Sequence, residues 1–195
     1  MSLMILTAHV GTNADLIPHI FSLYVPRGST VADVTYGRGV FWSKIDKEEY
    51  KVLESDLLTG VDFRSLPYES SSVDCVILDP PYMHGGSTIK ESLNKCYRND
   101  NTSHASVIRL YARGVLEACR VLRKNGIIIL KSQDEIESGK QRFSHIELIT
   151  LLRDFGYEIL DLFCLVQNHA PLLREKVQKH ARKNHSYAIV GRFKA

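Results

Sequence analysis

Two stretches restrict the fold more than anything else in the chain: the apolar runs at 75–78 (CVIL) and 127–130 (IIIL), each unbroken. A strand with one wet face alternates apolar and polar residues, so an unbroken run fits a strand covered on both faces, as in a parallel sheet between helical layers. Parallel strands need a crossover, and the segment between the runs supplies one. In 105–126 (ASVIRLYARGVLEACRVLRKNG), Ile108, Tyr111, Val115, Cys119 and Leu122 fall on one helical face. Arg120, Arg123 and Lys124 follow in the expected last turn, with Gly126 as the stop.

The rest of the chain repeats this alternation. Leu16, Ile17, Ile20, Phe21 and Tyr24 predict a helix over 13–24, with Pro18 early enough to be tolerated. Short strands are expected in TVADVTYGRG, ending at Asp33, and in YKVLESD, ending at Asp56. Ser144 and Glu147 form an S-x-x-E capping box for a helix through Leu148, Leu151, Leu152 and Phe155, closed by Gly156. Two further strand-like runs, YEILDLFCLVQ and SYAIVGRF, adjoin without a helix and require an antiparallel hairpin at one edge. The fold expected is α/β, a doubly wound and mostly parallel sheet with an antiparallel C-terminal hairpin. At 195 residues, 1–195 is read as one domain.

Composition narrows the setting. A formal charge of +3 permits a phosphate-rich partner but not a strongly basic binder, so any basic surface must be local. The four cysteines, Cys75, Cys96, Cys119 and Cys164, are scattered without a C-x-x-C pair, which argues against a zinc site or a disulfide framework and for a reducing compartment. No apolar run approaches the roughly 18 residues of a membrane span, and no signal-peptide layout is visible, so a cytoplasmic protein is expected.

Chemistry-bearing residues gather at the predicted strand ends. In an open α/β sheet, ligands bind there, near the point where strand order reverses. Asp33, Gly37 and Gly39 follow the first such strand, and glycines allow close backbone approach to a ligand. Asp56 stands where a carboxylate commonly meets ribose hydroxyls, or else is a turn acid. Asp62 and Phe63 could offer a polar contact and an apolar wall for an adenine ring, or form an edge strand. Asp79, Pro80, Pro81 and Tyr82 end the most buried strand, and a proline-terminated strand alone explains the prolines but not the acid. A polar stretch from Met83 to about Thr102 reads as a functional loop.

With these pieces assembled, the chain resembles the D-P-P-Y type of S-adenosylmethionine-dependent amino-methyltransferases, which methylate an exocyclic base nitrogen, usually N6 of adenine in DNA. The resemblance runs from DVTYGRGVFW through DPPY and GIIILKSQD to HARKNHSYAIVGRF. It implies a Rossmann-like methyltransferase sheet, S-adenosylmethionine as cofactor and no metal. Cofactor contacts would come from Asp33, Tyr36, Gly37, Gly39, Asp56, Asp62, Phe63 and Asp79, Tyr36 alternatively serving as core packing. An adenine amino nitrogen is a poor nucleophile, and Asp79 with the Pro80 carbonyl would accept its two hydrogens and favour the pyramidal form. Pro80 and Pro81 would fix the turn, and Tyr82 would stack on a base taken out of its helix. Arg38 between the glycines departs from the commoner pattern.

The resemblance also suggests a substrate. The segment 168–186 carries Arg174, Lys176, Lys179, Arg182 and Lys183 against one acid, Glu175, as phosphate contacts require, or simply as a solvated face. Lys90, Lys95, Arg98 and Arg109 could assist. Lys131 and Gln133 could face the site, or Gln133 could bond to backbone. No separate target-recognition region is visible, so base context would come from the loop after Tyr82 or from a protein partner. The reading is a DNA adenine-N6 methyltransferase. Its rivals are N4 of cytosine in DNA, N6 of adenine in RNA, a non-catalytic nucleic-acid-binding subunit, and protein glutamine, against which Asp79 in the first motif position argues.

Overall fold

A computed structural model of the protein describes residues 4–82, 102–167 and 178–195. Nine strands and three helices are used below. In chain order they are β1 (Ala8–Val10), α1 (Asn13–Tyr24), β2 (Thr30–Asp33), β3 (Lys51–Glu54), β4 (Val73–Leu78) and α2 (His104–Val121). Then follow β5 (Leu122–Ser132), β6 (Glu135–Glu137), β7 (Lys140–Arg142), α3 (Ser144–Asp154), β8 (Tyr157–Val166) and β9 (His185–Phe193). Among the described residues, no helix is long and apolar enough to cross a membrane.

Seven strands form one sheet in the order β1-β8-β9-β5-β4-β2-β3, and β6 pairs with β7 separately. All neighbours in the large sheet are parallel except those of β9, which runs against both β5 and β8. This is the expected mostly parallel sheet with an antiparallel hairpin. The hairpin is not at the edge, however, because β1 adds in parallel outside β8 through Ala8↔Cys164 to Val10↔Val166. Three residues are too few to show a periodicity, which is why β1 escapes sequence reading.

The apolar runs behave as their lack of alternation requires. Val76, Leu78, Ile128 and Leu130 face a cluster that includes Val107, Tyr111 and Val115 of α2 and Leu148 and Leu152 of α3. Cys75, Ile77, Ile127 and Ile129 face the opposite cluster, with Leu16, Ile17, Ile20 and Phe21 of α1 and with Phe41 and Trp42. Over 75–78 and 127–130, both faces of β4 and β5 are therefore dry.

Two local expectations are corrected. The strand after α2 begins at Leu122 rather than after Gly126: Leu122 is buried, pairs with Val73, and Arg123 forms an ion pair with Asp74. The register between β4 and β5 shifts between Val73 and Cys75, and Asn125 takes a positive φ of 64°. Gly126 is needed in this irregularity, since a Cβ there would stand 2.8 Å from Leu122 and 2.9 Å from the Arg123 carbonyl oxygen. In α3 the N-cap is Phe143, Ser144 is already helical with its hydroxyl buried and, among the described residues, unpartnered, and Glu147 bonds to His104. Long-range partners outcompete the local capping box.

Candidate active site

Strand order reverses at β2, whose chain continuation β3 lies on one side and β4 on the other. Such a switch point opens a crevice at the carboxyl ends of the strands. Asp33 pairs in register with Ile77, so the ends of β2 and β4 lie side by side. The Asp79 N–H donates to Thr35 Oγ1 at 2.8 Å, tying the acid-proline turn to the glycine loop.

Asp33 ends β2 at this switch point and is 2% exposed. Its Oδ2 accepts from the Trp42 indole at 2.8 Å and its Oδ1 from the Thr35 N–H at 3.3 Å. Burial nevertheless pushes its carboxyl up to about 7. After it, Gly37 and Gly39 take φ values of 55° and 67°, which side chains disfavour. Tyr36 folds across Gly39 so closely that a Cβ there would lie 2.5 Å from its hydroxyl oxygen. The Lys47 ammonium lies over the Tyr36 ring, bonds to its hydroxyl, and pairs with Glu54 at 2.6 Å.

Asp56 is buried and its carboxylate is occupied: it accepts from Gly37 N–H at 2.8 Å, Leu58 N–H at 2.7 Å and Thr59 N–H at 2.9 Å. It braces the glycine loop from beneath. Asp62 pairs with Arg64, whose guanidinium and then backbone N–H hold its carboxyl below the usual range against the opposing effect of burial. Phe63 is buried in the α2-side cluster against Gly114, in a turn rather than a strand.

Asp79 itself is half-buried, yet its Oδ1 is sealed from solvent and has no hydrogen-bond partner among the described residues. Burial pushes its carboxyl up to about 6, and Lys131 pulls it the other way. Pro80 is buried, and Pro81 and Tyr82 are half-buried. Tyr82 packs against the α2-side cluster, and burial followed by Asp79 pushes its hydroxyl up to about 12. Beside it, the Tyr111 hydroxyl donates to the Lys131 carbonyl at 2.6 Å. A carboxylate with a free acceptor, a rigid turn and an aromatic ring thus stand at one end of β4.

Other predicted residues divide between this edge and silence. Because β9 is antiparallel, its start lies at the same edge as Asp79; Lys179 and Arg182 just before it are exposed and Lys183 is half-buried. Arg109 is exposed near the start of α2. Arg174, Lys176, Lys90, Lys95, Arg98 and the loop after Tyr82 lie outside the described residues, apart from Thr102 at its end. Gln133 takes its backbone alternative, donating to the His185 carbonyl at 2.7 Å.

Sequence reasoning missed two histidine clusters at this edge. His104 is bracketed by Glu135 at 2.8 Å and Glu147 at 2.9 Å, joining α2 to α3 and to the β6–β7 hairpin. His145 bonds Asp134 at 2.7 Å and stacks on Tyr187 with centroids 4.3 Å apart. The run of acids at Asp134, Glu135 and Glu137 directly after a buried strand was the available signal.

No family model matches the chain, and no curated protein matches it in sequence. Solved structures do. A S-adenosylmethionine-dependent methyltransferase from Methanosarcina mazei superposes with a TM-score of 0.56 at 14% identity, covering 90% of this chain and 97% of that one. The 1,6-didemethyltoxoflavin-N1-methyltransferase of Burkholderia thailandensis, with its namesake compound and S-adenosylhomocysteine bound, gives 0.57 at 13% identity, covering 94% and 79%. The chain has a Rossmann-like methyltransferase fold. A Thermus thermophilus protein named provisionally as a DNA modification methylase is also similar, at a TM-score of 0.45 and 18% identity over 69% of this chain. The chain spans about half of that protein, 51% of its length. Within the methyltransferase fold, the crevice between β2 and β4 is where Asp33, the glycine loop and Asp79 converge.

Proposed function

We propose that the protein is an S-adenosylmethionine-dependent methyltransferase acting on the exocyclic amino nitrogen of a nucleic-acid base, N6 of adenine in DNA foremost. The observation that carries this reading is the Asp79 oxygen, sealed from water and left without a partner among the described residues at the end of β4. A buried acceptor with no donor is costly unless a ligand supplies one. The crevice suits the cofactor as well: positive-φ glycines leave room where a Cβ would intrude, and Asp33 precedes them. When bound, S-adenosylmethionine supplies an electrophilic methyl group.

The chain's own residues would do the rest. Asp79 and the Pro80 carbonyl accept the two amino hydrogens, drawing the nitrogen lone pair out of the ring and toward the donor. Thr35 fixes the Asp79 backbone, and Asp56 fixes Gly37, so acceptor and cofactor loop are held in one frame. Tyr82 offers its face to the base. Lys179, Arg182 and Lys183 suit phosphates, and a protein partner could add base context. Amino groups of heteroaromatic small molecules present the same pattern of two hydrogens, which is why the substrate is tested directly.

Purified protein is incubated with methyl-labelled S-adenosylmethionine and, separately, unmethylated duplex DNA, single-stranded DNA and RNA, and each is digested to nucleosides. Labelled N6-methyl-2′-deoxyadenosine from DNA is expected. Asp79→Ala should lower transfer by about 100-fold or more while cofactor affinity stays within a few-fold. Label in cytosine or in RNA replaces the substrate, and cofactor binding without label in any polymer overturns a free-standing nucleic-acid methyltransferase.

A further inference from the structure

Lys131 is the only Lys or Arg among the described residues that is buried, at 1% exposure. It sits near the carboxyl end of β5, at the edge that carries Asp79. Its ammonium has three donors, and the hydrogen bond found among the described residues is to Ser186 Oγ at 3.1 Å, a neutral hydroxyl. An ammonium held out of water with only a neutral partner loses its proton readily unless a negative charge lies nearby.

The register supplies that charge. Leu78 pairs with Leu130, and both face the α2 side of the sheet. The next residues, Lys131 on β5 and Asp79 just past the end of β4, therefore follow side by side from neighbouring strands about 4.8 Å apart. Each is the strongest charged influence on the other: burial pushes Lys131 down and Asp79 resists, while burial pushes Asp79 up and Lys131 resists. The other titratable groups around the pair are Asp33 on β2, Tyr82 in the turn, Tyr111 on α2 and Cys164 on β8. Burial keeps the tyrosines and Cys164 neutral at working pH, and pushes Asp33 up to about 7. Among the described residues, Lys131 is thus the sole cation of the group.

We propose that Lys131 is a positioning residue whose buried ammonium keeps the Asp79 carboxylate charged, so that its free oxygen remains an acceptor for the target amino group. The inference rests on the role given to Asp79 above. It explains why β5 places a lysine, the costliest of fillings, beside an otherwise apolar core. Ser186 steadies the ammonium without competing for Asp79's charge.

The test is a carboxylate ¹³C NMR titration of Asp79, its signal assigned by its loss in Asp79→Asn. In Lys131→Met the midpoint should rise by about one pH unit or more, about a tenfold change in proton affinity. Lys131→Arg, which restores the charge, should bring it back toward the wild-type value. An unmoved midpoint in Lys131→Met overturns the proposal. If that variant does not fold, the reciprocal measurement decides: Asp79→Asn should lower the titration midpoint of Lys131 read at its ¹³Cε, and an unchanged midpoint overturns the proposal. In methyl transfer, the acid limb of the kcat/KM profile should move upward in Lys131→Met by the same amount. Wild-type protein that transfers no methyl refutes the proposed function, while the titrations still decide the role of Lys131.

Discussion

Asp33 illustrates what burying a carboxyl in this crevice costs. Its carboxyl has an ordinary value near 3.8 and is pushed up to about 7 in the fold by burial. A carboxyl raised on folding carries no penalty below its unfolded value, and its stabilising share is lost as pH rises through about 4 to 7. The melting temperature of Asp33→Asn relative to the wild type should therefore be higher at pH 8 than at pH 4, by a few degrees or on the order of 1–3 kcal/mol. Calorimetry at the two pH values checks this, because disturbance of the Thr35 bond costs the same at both. At this scale much of the site was legible: Asp33, the glycines and Asp79 announce themselves by standing after apolar runs. The duty of Asp56 was not, since only the fold reveals that three backbone N–H groups already occupy it. Nor was the burial of Lys131, which depends on which face of β5 it takes.

Among elements, α2 shows what local pattern can and cannot tell. Its apolar face follows from spacing, and so does the existence of the helix. Its end does not, because Leu122 is claimed by Val73 on another strand, and no local signal competes with that pairing. α1, whose boundaries at 13–24 agree with its spacing, has no such rival. Within α2, Gly114 permits close approach to β4 and to the turn after β3: a Cβ there would stand 2.9 Å from Phe63 and 3.0 Å from Leu78. Ala would recover about 1 kcal/mol of helix propensity, roughly offsetting the crowding. Gly114→Val should overpack the site and destabilise the protein by about 1–3 kcal/mol, read by urea unfolding. Since Phe63 belongs to the proposed cofactor wall, cofactor affinity should fall with it.

Across the molecule, the small net charge of +3 conceals an uneven distribution. Lys179, Arg182 and Lys183 precede β9 at the edge where Asp79 lies, while Glu135 and Glu147 at the same edge are engaged by His104. The Arg182→Glu, Lys183→Glu double variant should weaken DNA binding and reduce the slope of log affinity against log salt by about 1–2. Binding isotherms at several salt concentrations check this, and an unchanged slope returns these side chains to a solvated surface. The sheet's topology has a consequence for how the molecule is made. β9 lies between β5 and β8, and it joins what are otherwise two separate pieces, β3-β2-β4-β5 and β8-β1. A chain emerging from the ribosome can pair β2, β3, β4 and β5 early, but β8 and β1 find their place beside them only after residues 185–193 have been synthesised. Closure thus waits for β9, and the crevice that holds Asp79 and Lys131 acquires its Ser186 wall only when that strand inserts.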